Sequence, residues 1–474
     1  MKNNYYIFIL LAIAVLTGGC KKYLQVKPEG TYTEDQVYAH AGDMQQALNG
    51  IYLDMASNEL YGASLSNITI EIMAQRYKVP ASGVSTENLP AVASYDYGVA
   101  QVQAEFELIW KKAFTTILAA NVFLRNAETA ISNRVIPTAS GEQLRGEAFA
   151  IRAMLHFDML RLFGPVYSLQ PERPSIPYYT QANGNPQPIL PASQVTDSVL
   201  ADLSAAEALL ANDPVKSRGI VHDGDFYSGS RNQRLNYYAV KALQARVLLW
   251  AGRTGEARSA ALAVLQEGEK WFPWLDPSQI ETVQPNPDRI FSPEILFGVY
   301  NPVMYVNYDA RFNPALGEQL VLTSDPTRLS QAFENNDNDY RYNGNTWAMT
   351  TFSRKTFFKF ADVPNTTMSF RFIQPLIRKS EMYYILAETE TDPQQGLTYL
   401  NTVRNNRNLV SLTSTAALSN EIMKEYKKEF WGEGQLFFYY KRKNVSSVPG
   451  GSSIFSTVTP VYTVPLPLSE TTPR

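Results

Sequence analysis

Apolar residues along this chain recur mostly with helical spacing. Val37, Ala41, Met44, Leu48, Ile51 and Met55 lie alternately four and three residues apart, one face of a helix. Thr33-Glu34-Asp35-Gln36, just ahead, has the form of a capping box. The same periodicity predicts helices over about 103–131, 140–163, 194–211, 234–252, 254–270, 371–390, 393–407 and 416–430. Long polar stretches rich in Pro, Gly and Asn separate them, at about 60–100, 165–192, 212–233, 273–370 and 444–474. The stretch 273–370 is too long for a simple connector, so it either folds as an irregular subdomain or carries function.

Two helix pairs define the organisation. Tyr237 to Gly252 leads through Arg253-Thr254-Gly255 into a second helix ending near Leu265, with small Ala and Gly residues that let the two approach closely. This is similar to a tetratricopeptide pair. About 371–407 reads the same way, with its turn at Asp392-Pro393. The expectation is an all-α scaffold of antiparallel helix pairs, over about 33–270 and 371–443, that displays a large irregular loop-rich region over about 60–100 and 273–370.

The first residues change the picture. Lys2 precedes an apolar run from Tyr5 to Leu16, roughly 12 residues and too short for the about 20 that span a bilayer. Leu16-Thr17-Gly18-Gly19-Cys20 looks like a bacterial lipobox, and Cys20 is the single cysteine of the chain. The reading is a lipoprotein signal peptide over 1–19, with Cys20 acylated and tethering residues 20–474 to a membrane.

Composition excludes more than it selects. A net charge of −3 gives no reason to expect nucleic acid binding. His40, His156 and His222 are the only histidines and form no zinc motif, so no metal or other cofactor is implied. Asn335-Asn336-Asp337-Asn338-Asp339 lacks the Gly and Glu of a calcium loop and reads as a polar turn. Glu425, Glu429 and Glu433, spaced by four, are the one carboxylate set that could suggest glycosidase chemistry. Gly432 and Gly434 break that helix and lysines interleave, so a structural role is expected. The same holds for Arg145, Glu147, Arg152, Asp158 and Arg161, read as ion pairs between helices, and for His156, read as a satisfied core residue.

Seven segments in order resemble the SusD/RagB family of outer-membrane lipoproteins of Bacteroidetes-type bacteria. They are Cys20 to Pro28 after the lipobox, Gly146 to Val166 with Ser175 to Tyr178, Ala245 to Gly252, Glu294 to Phe297, Arg378 to Glu388, Glu429 to Phe438, and Tyr462 to Pro467. The resemblance implies a single tetratricopeptide-like domain. It also implies a non-enzymatic lipoprotein on the outer membrane, facing outward, that captures oligosaccharide and hands it to a SusC-like TonB-dependent barrel. Capture of peptides on the same scaffold is the alternative, and a surface glycan hydrolase a third reading.

Ligand candidates are aromatic and polar residues in two loop regions, where the family builds its site. The first contains Arg76, Tyr77, Tyr95 and Tyr97. The second contains Tyr305, Asn307, Tyr308, Arg341, Tyr342, Asn343 and Trp347. A ring exposed in polar sequence, flanked by amides or Arg, suits the flat C–H face and hydroxyl rim of a sugar.

Overall fold

The computed structural model describes residues 34–80, 88–281, 285–451 and 456–471. The lipobox, Cys20 and Thr33 lie outside the described residues. The periodic helix at the start is α1, Ala41–Met55, with Met44, Leu48, Ile51, Tyr52 and Met55 buried. Two long helices follow, α2 (Ala100–Ser132) and α3 (Thr138–Phe163). A hairpin of β1 (Pro174–Pro177) and β2 (Ile189–Pro191) leads into α4 (Ala192–Leu209). Then come α5 (Tyr237–Trp250) and α6 (Thr254–Gly268), joined by a tight turn at Gly252, which takes φ +73°.

Helices α2 to α6 stack on one another in chain order, and α6 continues onto α7 (Lys379–Thr389) and its partner α8 (Pro393–Asn405). Each helix buries its apolar stripe against the next, which makes a tetratricopeptide-like array. The fold is predominantly helical, as the sequence predicts. Helix α9 (Leu418–Glu429) and α10 (Leu436–Arg442) close it.

The insertion between α6 and α7 is irregular but ordered by short strands. β3 (Ile295–Tyr300) pairs antiparallel with β7 (Ile373–Arg378). Between them β4 (Thr323–Ser324), β5 (Trp347–Met349) and β6 (Lys355–Phe357) form a small sheet in the order β4-β6-β5. The helix expected over 371–390 is therefore a strand in its first part. Ile373-Gln374-Pro375-Leu376-Ile377 is apolar on both faces, and Pro375 both lacks an N–H and turns Gln374 away from helical geometry.

α3 is buried on nearly all sides, so its charged residues are internal and paired. Arg152 donates two parallel hydrogen bonds to Asp202 of α4, at 2.7 and 2.6 Å. Arg231 bridges Asp213 and Glu147. Arg246 of α5 grips Glu381 of α7 through two bonds of 2.7 Å. His156 lies between the carbonyl of Arg152, 2.9 Å from Nδ1, and the Tyr179 N–H, which donates to Nε2 at 3.0 Å. Burial first, and then the Arg152 charge, hold this ring neutral down to about pH 3. The ion-pair and core-histidine readings of this helix hold: Arg145, partly exposed, lies 3.8 Å from Glu128 of α2, and Arg161 pairs with Asp158 one turn away on the same helix.

Candidate functional site

The three spaced glutamates lead to the site by elimination. Glu425 and Glu429 end α9; the chain then turns at Gly432 (φ +76°) and Gly434 (φ +69°), and Glu433 falls back onto the same cluster. Every one of these carboxylates is ion-paired. Glu429 accepts from Arg341 at 2.8 Å and from Arg407 at 2.7 and 3.0 Å, and it also meets Arg378. Glu433 meets Arg378 at 2.9 Å, together with Lys359. Glu425 meets Arg404 at 2.7 Å, Lys428 at 2.8 Å and Arg341 at 2.9 Å. Burial opposes ionisation of Glu425, but Arg341, Lys428 and Arg404 overcome it and hold the carboxyl at about 2. Burial is likewise overcome at Glu429 by Arg407, Arg378 and Arg341, which hold it well below the usual carboxylate range. A general acid needs a raised pKa, and Glu425 and Glu429 are held the opposite way.

The residues after α9 build a different environment. Trp431 is the hub of an aromatic cluster. Trp347 meets it edge-on at 4.9 Å, Phe333 lies nearly parallel at 6.2 Å, and Tyr77 packs at 6.4 Å. The Arg76 guanidinium covers the ring at 4.2 Å. The two loop regions singled out from sequence thus converge on one residue. Backbone pairing between Lys78 and Thr323 ties them together, and the Ser324 hydroxyl donates to the Arg76 carbonyl at 3.1 Å.

Beside Trp431 opens a pocket of about 280 Å³. Arg76, Arg328, Lys427 and Tyr440 are its polar walls, with Ser324 and Gln331, and no carboxylate of the described residues lines it. Arg328 is fixed by carbonyls: Gln75 accepts at 2.6 Å, Pro449 at 2.8 Å, and Gly450 also accepts. Burial lowers its pKa to about 10. The Lys427 ammonium has no hydrogen bond or ion pair among the described residues, and burial, then Arg76 and Arg328, lower it to about 8. Burial raises the Tyr440 hydroxyl to about 12, against the pull of Arg76 and Arg328. Arg76 has one acid behind it, Glu71, at 3.3 Å from Nε, and donates to the Lys427 carbonyl; its Nη2 finds no acceptor among the described residues.

The structure departs from the sequence expectations residue by residue. Trp347, expected as an exposed platform, is 4% exposed: it packs on Trp431, and its Nε1 donates to the Arg341 carbonyl at 3.1 Å. Tyr342 is buried and stacked on Phe333 at 4.8 Å. Arg341 belongs to the glutamate cluster, with Asp339 accepting two of its bonds at 2.7 and 2.8 Å. This pairing also explains the Asn335–Asp339 turn, whose last carboxylate is spent on Arg341. Asn343 is a loop brace, donating to the Ile280 carbonyl at 3.2 Å. Tyr305, Asn307 and Tyr308 sit on a short helix, Met304–Arg311. Tyr305 packs on Phe372 at 4.6 Å, Asn307 donates to Asn58 at 2.8 Å, and Tyr308 is buried against Phe358. Tyr77 is buried behind Trp431, and Tyr95 is buried on Phe437, donating to the Met73 carbonyl at 2.6 Å. Tyr97 is half-buried, donates to the Val461 carbonyl at 2.8 Å, and lines a separate cleft of about 500 Å³. Of these candidates Arg76 alone lines the pocket beside Trp431.

Sequence reasoning missed Trp431, Arg328, Lys427 and Tyr440. Trp431 stood inside the Glu429–Phe438 segment, and Tyr440 just beyond its end. Lys427 gave no distinct signal: it and Lys428 both fall away from the face of α9 that Ile422, Glu425, Tyr426 and Glu429 define at 100° per residue, yet Lys428 is buried. A solvent-facing ring does exist elsewhere. Tyr300, 45% exposed, lines a cleft of about 440 Å³ with Phe226, Arg234 and Asn49.

Comparison with known proteins gives one answer. Residues 22–221 match a SusD-like family model described as starch-binding and associating with the outer membrane, and residues 320–453 match the SusD family model. The chain belongs to the SusD/RagB family. It is 24% identical over 217 residues to SusD-like protein P2 of Formosa agariphila, a match spanning 44% of this chain and 38% of that relative. Among solved structures, a SusD superfamily protein from Bacteroides thetaiotaomicron superposes with a TM-score of 0.71 at 21% identity, over 91% of this chain and 97% of that one. A SusD-like carbohydrate-binding protein from Bacteroides vulgatus gives 0.64 at 19%, over 86% and 84%. A laminarin-binding SusD-like protein gives 0.62 at 16%, over 86% and 92%. No described helix is long and apolar enough to cross a membrane.

Proposed function

We propose that this protein is a non-catalytic capture lipoprotein. Anchored through Cys20 on the outside of the outer membrane, it binds oligosaccharide and passes it to a SusC-like TonB-dependent barrel. The observation that carries the binding reading is the pocket beside Trp431, where both expected loop regions meet around unspent hydrogen-bonding groups. Solved SusD-like relatives described as carbohydrate-binding and laminarin-binding support the ligand class.

Capture, rather than turnover, fits the chemistry. The spaced glutamates of α9 are locked by Arg and Lys, and no carboxylate of the described residues lines the pocket. A volume of 280 Å³ lies near the lower end of small-molecule sites, about 300–1,000 Å³, so the pocket holds the end of a chain or a single ring rather than a long segment. Because Arg76 covers Trp431, polar contacts replace the flat aromatic stacking expected from sequence.

Calorimetric titration with oligosaccharide and peptide panels tests this reading. Binding of oligosaccharide without release of shortened products is expected. Hydrolysis of the ligand, or binding of peptides alone, contradicts it.

A further inference from the structure

The balance of charge in the pocket goes further than a general preference for sugars. Arg76, Arg328 and Lys427 surround one cavity, and among the described residues Glu71 is the one acid whose carboxylate pairs with any of these three cationic groups. Asp325 lies close in sequence to Arg328 but spends its carboxylate on the backbone N–H groups of Thr327 and Arg328, each at 3.0 Å. Glu334 is engaged by Lys424 at 3.0 Å and Lys428 at 2.7 Å. Counting Glu71 against Arg76, two positive charges remain unmatched.

Most other buried guanidiniums, such as Arg152, Arg231, Arg246, Arg378 and Arg407, meet a carboxylate. Arg289 is held by carbonyls alone, as Arg328 is, but what sets the pocket apart is that its cations are grouped around one cavity. Grouping cations without a counter-ion is unfavourable, because each raises the cost of charging the others. The Arg328 carbonyl cage holds the fork in position without neutralising it. Lys427 stands opposite with a free ammonium, the Tyr440 hydroxyl makes no hydrogen bond among the described residues, and Arg76 leaves Nη2 without an acceptor. A pre-placed guanidinium, an ammonium and a hydroxyl donor match the planar or tetrahedral oxygens of a carboxylate or sulfate ester.

We propose that the pocket beside Trp431 is an anion subsite that recognises the acidic group of a negatively charged sugar. This rests on the capture reading above and names its ligand class. The acidic group can come from a uronic acid or from a sulfate ester, and the shared chemistry is an oxyanion presented at the end or edge of a pyranose ring. Affinity then falls with ionic strength, because the contact is between charges that salt screens.

The test is calorimetry on the purified protein with four probes of matched length. They are a tetragalacturonate, a sulfated galactan tetrasaccharide, neutral cellotetraose and tetraglutamate. The expected result is that at least one acidic sugar binds at least tenfold more tightly than cellotetraose, and which one does separates carboxylate from sulfate. Lys427→Gln weakens that binding at least tenfold. Arg328→Lys, which keeps the charge but not the fork, weakens it less. Tyr300→Ala, in the separate aromatic cleft, leaves it unchanged. Lys427 has no hydrogen bond or ion pair to lose among the described residues, only a distant contact with the Tyr440 ring at 5.9 Å, and an unchanged thermal transition verifies that the variant folds.

Cellotetraose binding as well as the acidic sugars, with Lys427→Gln silent, overturns the anion subsite and leaves glycan capture standing. So does acidic-sugar binding that is lost in Tyr300→Ala alone. Tetraglutamate binding without any sugar, or binding of none of the probes, overturns both.

Discussion

Lys427 and Lys428 are neighbours on α9, yet they live in opposite worlds. Lys428 turns inward, 1% exposed at the side chain, and bonds Glu425 at 2.8 Å and Glu334 at 2.7 Å. Lys427 turns toward the pocket, 5.9 Å from the Tyr440 ring, and makes no ion pair or hydrogen bond through its ammonium among the described residues. One side of this helix carries a charge cluster closed on itself; the other carries charge left open. Buried ion pairs add little net stability but are costly to break, so the closed side specifies structure. The open side costs something in the free protein and gains it back only with a ligand.

The sharpest way to break this contrast is to open the closed side. Glu429→Ala leaves Arg341, Arg378 and Arg407 without their shared carboxylate. The expected cost is about 3–5 kcal/mol, read by urea denaturation. A cost below about 1 kcal/mol would show that the cluster is not structural.

Acid stability sharpens it next. His156 is held neutral down to about pH 3 in the fold, against 6.5 when unfolded. The unfolded chain therefore binds the proton first, so this stability is present above pH 6.5 and drains away as pH falls from 6.5 toward 3. Between pH 6.5 and 5 the loss is about 2 kcal/mol. Glu425, at about 2 in the fold against 4.5, adds its own loss only below pH 4.5. His156→Gln should flatten the upper part of the curve. An unchanged slope of the urea midpoint against pH would rule His156 out as its source.

The turn that separates the two sides comes third. At Gly432 a Cβ would meet Phe357 at 2.4 Å, on a residue with φ +76°. Gly432→Ala should cost about 1–3 kcal/mol and disturb the setting of Trp431. Calorimetric unfolding together with ligand titration reads both effects.

Much of the scaffold was legible in sequence because helix periodicity, the Gly252 turn and the Asp392-Pro393 start are local signals. Asp392 does cap α8, accepting from the Gln394 N–H at 3.0 Å. β7 was misread because a fully buried strand and a buried helix share an apolar pattern, and Pro375 was the one clue. The site was only half legible. Polar sequence around Trp347 gave no reason for burial, yet its strand partner Phe357, Phe333 and the distant Trp431 enclose it. The pocket joins residues 76, 328, 427 and 440, so no single window contains it. Charge matching is a tertiary property: Lys427 and Lys428 are indistinguishable until their neighbours are known.

That pair also supplies the most direct measurement. Lys427→Gln and Lys428→Gln are compared side by side for thermal stability and for affinity toward the acidic tetrasaccharide that binds the unaltered protein. The account predicts a crossed result. Lys428→Gln lowers Tm, because it strips Glu425 and Glu334 of a partner, and leaves affinity within about twofold. Lys427→Gln keeps or raises Tm and weakens binding at least tenfold, about 1.4 kcal/mol or more. Equal effects of the two substitutions on binding, or a loss of Tm confined to Lys427→Gln, would contradict it.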